Sequence, residues 1–371
     1  MRSVYSFALA ALTGLSAALS TFEHNLLFQP PENYTDPRTL YARTVQLSDG
    51  SLLATWENYS PEPPPVWFPI YQSLDDGVTW AEISRVEDQV YGFGLRYQPF
   101  LYELPQAFGD YEAGTILASG SAIPTDLNQT NIEVYASRDK GVTWEFVSHI
   151  AHGGVALPNN GETPVWEPFI LTYDNTLIVY YSDQRDERYG QKLVHQTTTD
   201  LVNWSDVVDD VAYPTYTDRP GMPILTLLPN GSYFYVFEYG GGPAIADYTF
   251  PIYYRIVDDP REIAGAADHY ISVGGNIPVS SPYVVWSSVG GDDGSIIVSS
   301  GRQPLYINRA LGDPNAWEEY QISQPAAYTR HLRVFEQDDD YLLVMGAGVL
   351  PPSTTNNVTA SVYRVSEILG L

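Results

Sequence analysis

A chain of 371 residues carrying 45 acidic and 18 basic side chains, for a formal net charge of −27, repels nucleic acid and anionic membranes and suits a neutral or cationic partner. It contains no cysteine, which excludes disulfides, thiol catalysis and cysteine metal sites; outside a cell it must rely on a large core instead of covalent staples. Its 29 Tyr and 8 Trp offer faces that can stack on sugar rings, although most are expected to serve strands and core.

Residues 1–20, MRSVYSFALAALTGLSAALS, combine an early Arg, an apolar run and small residues at Ala18 and Ser20. This is the pattern of a secretory signal cleaved near Thr21, which predicts a secreted, extracellular protein formed by residues 21–371 as a single domain. Six Asn-x-Ser/Thr sequons, at Asn33, Asn58, Asn128, Asn203, Asn230 and Asn357, are glycosylation candidates on that route. Past the signal, no apolar stretch is long enough to span a bilayer.

From residue 43 onward a strand, a tight turn and an apolar strand recur, at 43–59, 100–121, 168–183, 223–240, 284–301 and 332–348. The Asp-Gly, Asp-Asn and Asn-Gly turns tolerate the positive φ of tight hairpins. Each unit is followed by a second predicted strand pair, at 69–84, 132–148, 192–208, 251–263, 304–320 and 360–369. Four strands repeated six times, with no long helical periodicity, predict an all-β six-bladed propeller with four antiparallel strands per blade. Within the outer pairs, SLDDGVTW (73–80) and SRDKGVTW (137–144) repeat one motif, and TTTDLVNW (197–204) is a worn copy. Ser and Asp can bond the backbone of their own turn and Gly supplies a left-handed φ, so the motif reads as scaffold.

Chemistry is expected where the inner strands line the central channel. In chain order, Arg43, Trp166 with Glu167, Asp183, Arg219, Glu238 with Tyr239, Tyr328, Arg330 and Arg333 stand there. Glu167 and Glu238 lie beside aromatics, and lost solvation raises a carboxyl toward the range of a general acid. Two such carboxyls are the minimum for glycoside hydrolysis, although each could equally be a strand-end residue paired with an Arg. His149 and His152 form a lone H-x-x-H in an expected loop; neither a metal site nor a cofactor is expected.

The stretches WEPFILTYDNTLIVYYSDQRDERYGQKLVHQ, DRPGMPILTLLPNGSYFYVFEYGG and YTRHLRVF resemble glycoside hydrolase family 93, the fungal exo-arabinanases, over nearly all of residues 21–371. The repeated Ser-x-Asp-x-Gly-x-Thr-Trp resembles the Asp box of the wider sialidase-like group, where it sits between the third and fourth strands of a blade. The family resemblance implies a catalytic propeller that releases arabinobiose from the non-reducing end of α-1,5-linked L-arabinan with retention of configuration. It places the catalytic glutamates at Glu167, taken as nucleophile, and Glu238, taken as acid/base, with an active-site tyrosine at Tyr328. Sequence context desolvates both carboxyls and leaves their order open. Arg43, Trp166, Asp183, Arg219, Tyr239 and Arg330 are the expected substrate-binding residues, the partner a neutral polysaccharide or oligosaccharide, and the protein a monomer. Two other readings stand beside this one. A sialidase-type exo-glycosidase is suggested by the Asp boxes and Arg43, although YARTVQL lacks the Arg-Ile-Pro run usual there. A non-catalytic sugar-binding propeller would repeat one site per blade, whereas the charged residues here differ between blades.

Overall fold

The computed structural model describes residues 19–302 and 304–371, so the predicted signal segment, apart from its last two residues, lies outside the described residues. Among the described residues, twenty-four strands form six four-stranded antiparallel sheets. The first strand, β1 (Phe22–Phe28), belongs to the last blade. Blade one is β2 (Thr39–Gln46), β3 (Leu52–Asn58), β4 (Phe68–Ser73) and β5 (Ala81–Val86). Blade two is β6 (Leu95–Glu103), β7 (Ile116–Ala122), β8 (Thr130–Ser137) and β9 (Glu145–Gly153). Blade three is β10 (Val165–Tyr173), β11 (Thr176–Asp183), β12 (Lys192–Thr198) and β13 (Val208–Val211). Blade four is β14 (Arg219–Leu227), β15 (Tyr233–Gly240), β16 (Ile252–Val257) and β17 (His269–Tyr270). Blade five is β18 (Tyr283–Ser287), β19 (Ser295–Ser299), β20 (Leu305–Asn308) and β21 (Trp317–Tyr320). Blade six joins β22 (His331–Phe335), β23 (Asp338–Gly346) and β24 (Val358–Arg364) to β1.

All six predicted inner hairpins form, because each turn carries residues that accept its φ and each flanking strand is buried on both faces by the adjacent blades. Every residue of β2, β3, β7 and β8 is buried, whereas outer β5 is largely exposed. Period-two alternation is therefore weak in the inner strands, as for any sheet covered on both faces.

The last outer pair is a correction. The predicted pair at 360–369 is one strand, β24, followed by the single helical turn α1 (Val365–Leu369), and Ser366 donates to Asp340 from both its N–H and its hydroxyl (2.7 and 2.8 Å). The outer edge of β24 is filled by β1, with Phe22 opposite Val362 and Phe28 opposite Val358. The first and last segments of the domain thus share a sheet, which removes the open edge that would leave the ring unclosed. In blade four the predicted pair at 251–263 likewise holds one strand, β16, and the outer strand β17 lies beyond it. His149 and His152 lie on β9 and not in a loop, the former against Glu133 (3.1 Å) and the latter against Asn131 (2.7 Å).

The repeated motifs sit at the β4–β5 and β8–β9 turns, and the worn copy between β12 and β13. In the second, Asp139 accepts from the N–H and hydroxyl of Thr143 (2.8 and 2.7 Å) and from Ser137 (2.9 Å), while the Gly141 N–H reaches Ser137 Oγ (2.7 Å). Gly141 has φ +87°, and a Cβ there would stand 2.9 Å from Leu53 of blade one. Trp144 donates to Ser84 of blade one and Trp204 to Ser148 of blade two (3.1 and 3.0 Å), so these indoles staple each blade to the preceding one.

Of the sequons, Asn33, Asn128, Asn203 and Asn230 are exposed and Asn357 is half-buried. Asn58 is only 4% exposed within β3, so it is no glycan site in the folded protein.

Candidate active site

Four of the six inner strands break register one or two residues after their start. The breaks fall between Leu40 and Arg43, Tyr97 and Phe100, Trp166 and Phe169, and Gly221 and Ile224. At each break a non-glycine residue takes a positive φ: Tyr41 (55°), Gln98 (55°), Glu167 (65°) and Met222 (60°). Ser281 (47°) does the same just ahead of β18. Such bulges insert an extra residue whose N–H cannot join the ladder. Proline follows at 99, 168, 223 and 282, where its missing donor costs nothing and its ring disfavours a helical residue before it.

A buried N–H outside the ladder still requires an acceptor, and the preceding blade supplies it. Gln98 N–H donates to Glu57 Oε1 (2.9 Å), Met222 N–H to Glu167 Oε2 (2.8 Å), and Ser281 N–H to Glu238 Oε2 (2.7 Å). Tyr41 N–H uses the Tyr328 carbonyl (3.1 Å) and closes the ring. The bulges therefore draw three carboxyls to one level of the channel.

Glu167 is 7% exposed and also accepts from Ser182 Oγ (2.6 Å). Glu238 is 9% exposed and stands opposite Gly221 in the β14–β15 ladder. A Cβ on Gly221 would lie 3.4 Å from Glu167 Oε2 and 3.5 Å from Glu238 Oε1. Both carboxyls thus face one side-chain-free gap, with their nearest oxygens no more than about 7 Å apart. Burial, and next the Glu167 charge, pushes Glu238 up to about 8, against the opposing Ser281 N–H and Arg219. Burial also raises Glu167, opposed by the Ser182 hydroxyl, the Met222 N–H, Arg219 and Arg43.

Tyr328 is half-buried, edge-on to Tyr41 with ring centroids 6.1 Å apart. Burial and then the charges of Glu167 and Glu238 hold its phenol well above the ordinary value, so it stays a donor. Arg219 is gripped by the amide oxygens of Asn160 (2.9 Å), Gln184 (2.7 Å) and Gln191 (3.0 Å), and its charge reaches both glutamates. Trp166 is buried, and its indole donates to the same Gln191 oxygen (3.1 Å); it braces Arg219 and offers no open stacking face. Arg43, 1% exposed, bonds Thr329 Oγ1 (2.7 Å) and lies over the rings of Tyr41 and Tyr283. His331 is fully buried against Thr44 (2.7 Å).

Three expected binding residues stand elsewhere. Asp183 is saturated by Arg185 (2.7 Å) beside His152 of blade two, because alternation along β11 turns it away from the face that carries Ser182. Tyr239, next to Glu238, likewise faces the other way, bonded to Asp218 (2.7 Å) and stacked on Tyr213 at 4.0 Å. Arg330 is 0% exposed and donates to the Pro304 and Gln324 carbonyls (2.7 and 3.4 Å), clamping blade six to blade five. Sequence reasoning missed Glu57, Tyr59, Tyr97, Gln98, Ser182 and Ser281. It also missed Tyr248, which is 55% exposed above Thr217 and close enough to Arg219 to feel its charge. The residue-then-proline pair recurring once in each of blades two to five, at 98, 167, 222 and 281, was the signal that could have found the bulges.

No family model and no curated protein sequence matches the chain. Solved structures do. The α-L-arabinofuranosidase of Fusarium graminearum, in complex with arabinobiose, is 60% identical with a TM-score of 0.93, covering 94% of this chain and 99% of that one. The α-L-arabinanase of Penicillium chrysogenum, also complexed with arabinobiose, is 56% identical with a TM-score of 0.92, covering 94% and 100%. The NanB sialidase of Streptococcus pneumoniae, at 13% identity and a TM-score of 0.58 over 93% and 71%, shares the fold alone.

Proposed function

The chain belongs to glycoside hydrolase family 93, and from that premise we propose an exo-arabinanase that cuts α-1,5-linked L-arabinan from its non-reducing end, releasing arabinobiose with retention. The observation that carries the reading is the pair of buried carboxyls, Glu167 and Glu238, facing one gap above Gly221. Glu167 receives two donors and Glu238 one, so Glu167 ionises more readily and is assigned as nucleophile, while Glu238 keeps the proton a leaving group needs. In the first step Glu238 protonates the glycosidic oxygen as Glu167 attacks the anomeric carbon. In the second, Glu238 takes a proton from the water that releases the sugar. The arabinobiose bound by both relatives supports the substrate class.

Chromatography of products from linear arabinan tests this: arabinobiose as the first product is expected, and a ladder of long oligosaccharides or no hydrolysis would overturn it. NMR of the first-formed anomer tests retention. Secretion with cleavage near Thr21 is part of the proposal, supported by the apolar run before that residue; retention of the protein inside the expressing cell with residues 1–20 still attached would refute it.

A further inference from the structure

Blade one holds a second copy of the Glu238 arrangement. Glu57 stands on β3 opposite Leu40 as Glu238 stands on β15 opposite Gly221, and each accepts the bulge N–H of the following blade. The two blades are three apart in a ring of six, so these carboxyls approach the channel from opposite sides. The copies differ in access. Leu40, 3% exposed, and Tyr41 fill the place that Gly221 leaves open, and Tyr59 caps the second Glu57 oxygen from its hydroxyl (2.7 Å). At 2% exposure Glu57 cannot meet substrate.

Among the described residues none of Glu57, Glu167 and Glu238 forms an ion pair, and the positive charges that reach them come from two guanidinium groups, Arg43 and Arg219. Three buried carboxylates against two fixed cations leave one negative charge in excess, and a low-dielectric site relieves it by keeping a proton. We propose that Glu57 is a positioning residue whose charge, once it has ionised, balances Arg43 and Arg219 together with that of Glu167 and so leaves the cluster's remaining proton on Glu238. The role assigned to that proton rests on the catalytic reading above; the charge balance does not.

The groups facing Glu57 are Tyr41 and Arg43 from β2, Tyr59 beyond β3, Tyr97 and Gln98 from β6, Glu167 from β10 and Tyr328 ahead of β22. Burial pushes Glu57 up to about 7, with Glu167 adding to the rise and Tyr59, Gln98 and Arg43 opposing it. Removing the Glu57 charge removes a like charge from its neighbours and lowers their affinity for protons.

Glu57→Gln keeps the shape and can still accept from Gln98. Its kcat/KM profile should move to lower pH on the alkaline limb, where Glu57 is ionised, by about 0.5–1 unit. A profile reduced in height but unmoved would overturn the proposal and leave Glu57 a packing residue. Tyr59→Phe strips one donor from the Glu57 anion and should give a smaller shift in the same direction, which serves if Glu57→Gln does not fold. Carbon NMR titration of protein labelled at the glutamate δ-carbons, with the Glu238 signal identified by Glu238→Gln, needs no substrate. Titration of Glu238 at lower pH in Glu57→Gln supports the proposal even if arabinan is not cleaved, and an unchanged midpoint sinks it even if arabinan is.

Discussion

Two rings of repeated local structure circle this propeller, and they use repetition in opposite ways. At the outer turns the Asp boxes repeat geometry and side chains together: Asp75 and Asp139 make the same bonds to Thr79 and Thr143 (2.8 Å to each N–H) and to Ser73 and Ser137 (2.9 Å). At the channel the bulges repeat geometry but change the residue, to Tyr41, Gln98, Glu167, Met222 and Ser281. Blades two and three make the contrast plain. Gln98 receives Ser121 (3.2 Å) where Glu167 receives Ser182 (2.6 Å), one amide against one carboxylate in matching frames. A turn that satisfies its own polar groups can be copied unchanged, whereas a ring of identical carboxylates in one channel could not all ionise. Repetition by itself does not separate scaffold from site; repetition of side chains does.

The comparison breaks if the bulge carboxyls prove dispensable. Glu167→Gln and Glu238→Gln should each lower kcat on arabino-oligosaccharides by about 10²–10⁴-fold while leaving the melting temperature near that of the parent. Gly221→Ala comes next. Its methyl would meet Gln191 at 3.1 Å and stand between the two carboxyls, so kcat/KM should fall by about 10²-fold with little loss of stability.

Buried carboxyls, at the channel and between outer strands, should also mark the pH dependence of stability. Burial raises Glu57 to about 7, Glu133 to about 7, Asp210 to about 6 and Glu238 to about 8 in the folded protein. These groups hold protons that the unfolded chain has already released, so their contribution is complete below the unfolded values and is lost as pH rises through 6 to 8. The melting temperature in differential scanning fluorimetry should therefore fall by about 5–10 °C from pH 5 to pH 8.5, and Glu133→Gln should flatten that slope.

At the outer ring the expected pattern is reversed. Asp139→Ala loses the bonds to Thr143 and Ser137, and should cost about 1–2 kcal/mol in urea unfolding with unchanged kcat on the folded fraction. Equal kcat losses at Asp139 and Glu167 would erase the distinction. The smallest effect is at Asn58: Ser60→Ala, made in a glycosylating host, should leave the mass of the purified protein short only by the substitution itself, because that sequon is buried.

Blade number, hairpin positions, the scaffold character of the Asp boxes and the channel position of Glu167 and Glu238 were legible in the chain. Each depends on φ preferences, turn bonds or apolar runs spanning a dozen residues or so. Strand alternation could also have turned Tyr239 and Asp183 away from the channel, since each neighbours a residue that faces it, but the weak alternation of doubly covered strands hid the facing. Glu57 was passed over because nothing within LLATWEN distinguishes it; its meaning comes from Gln98, 41 positions on and in the next blade.

Local chemistry along the chain was enough to dictate six antiparallel sheets and the turns that join them, since those turns satisfy their own polar groups. Ring closure decided the rest: the pairing of β1 with β24, the burial of Asn58, the clamp made by Arg330 and the gathering of three carboxyls at one level. These depend on contacts such as His24 N–H to Ser361 Oγ, 337 residues apart, or Met222 N–H to Glu167, 55 apart. Such partners are named neither by propensity nor by spacing, because an unladdered N–H takes its acceptor from whichever blade folding brings beside it.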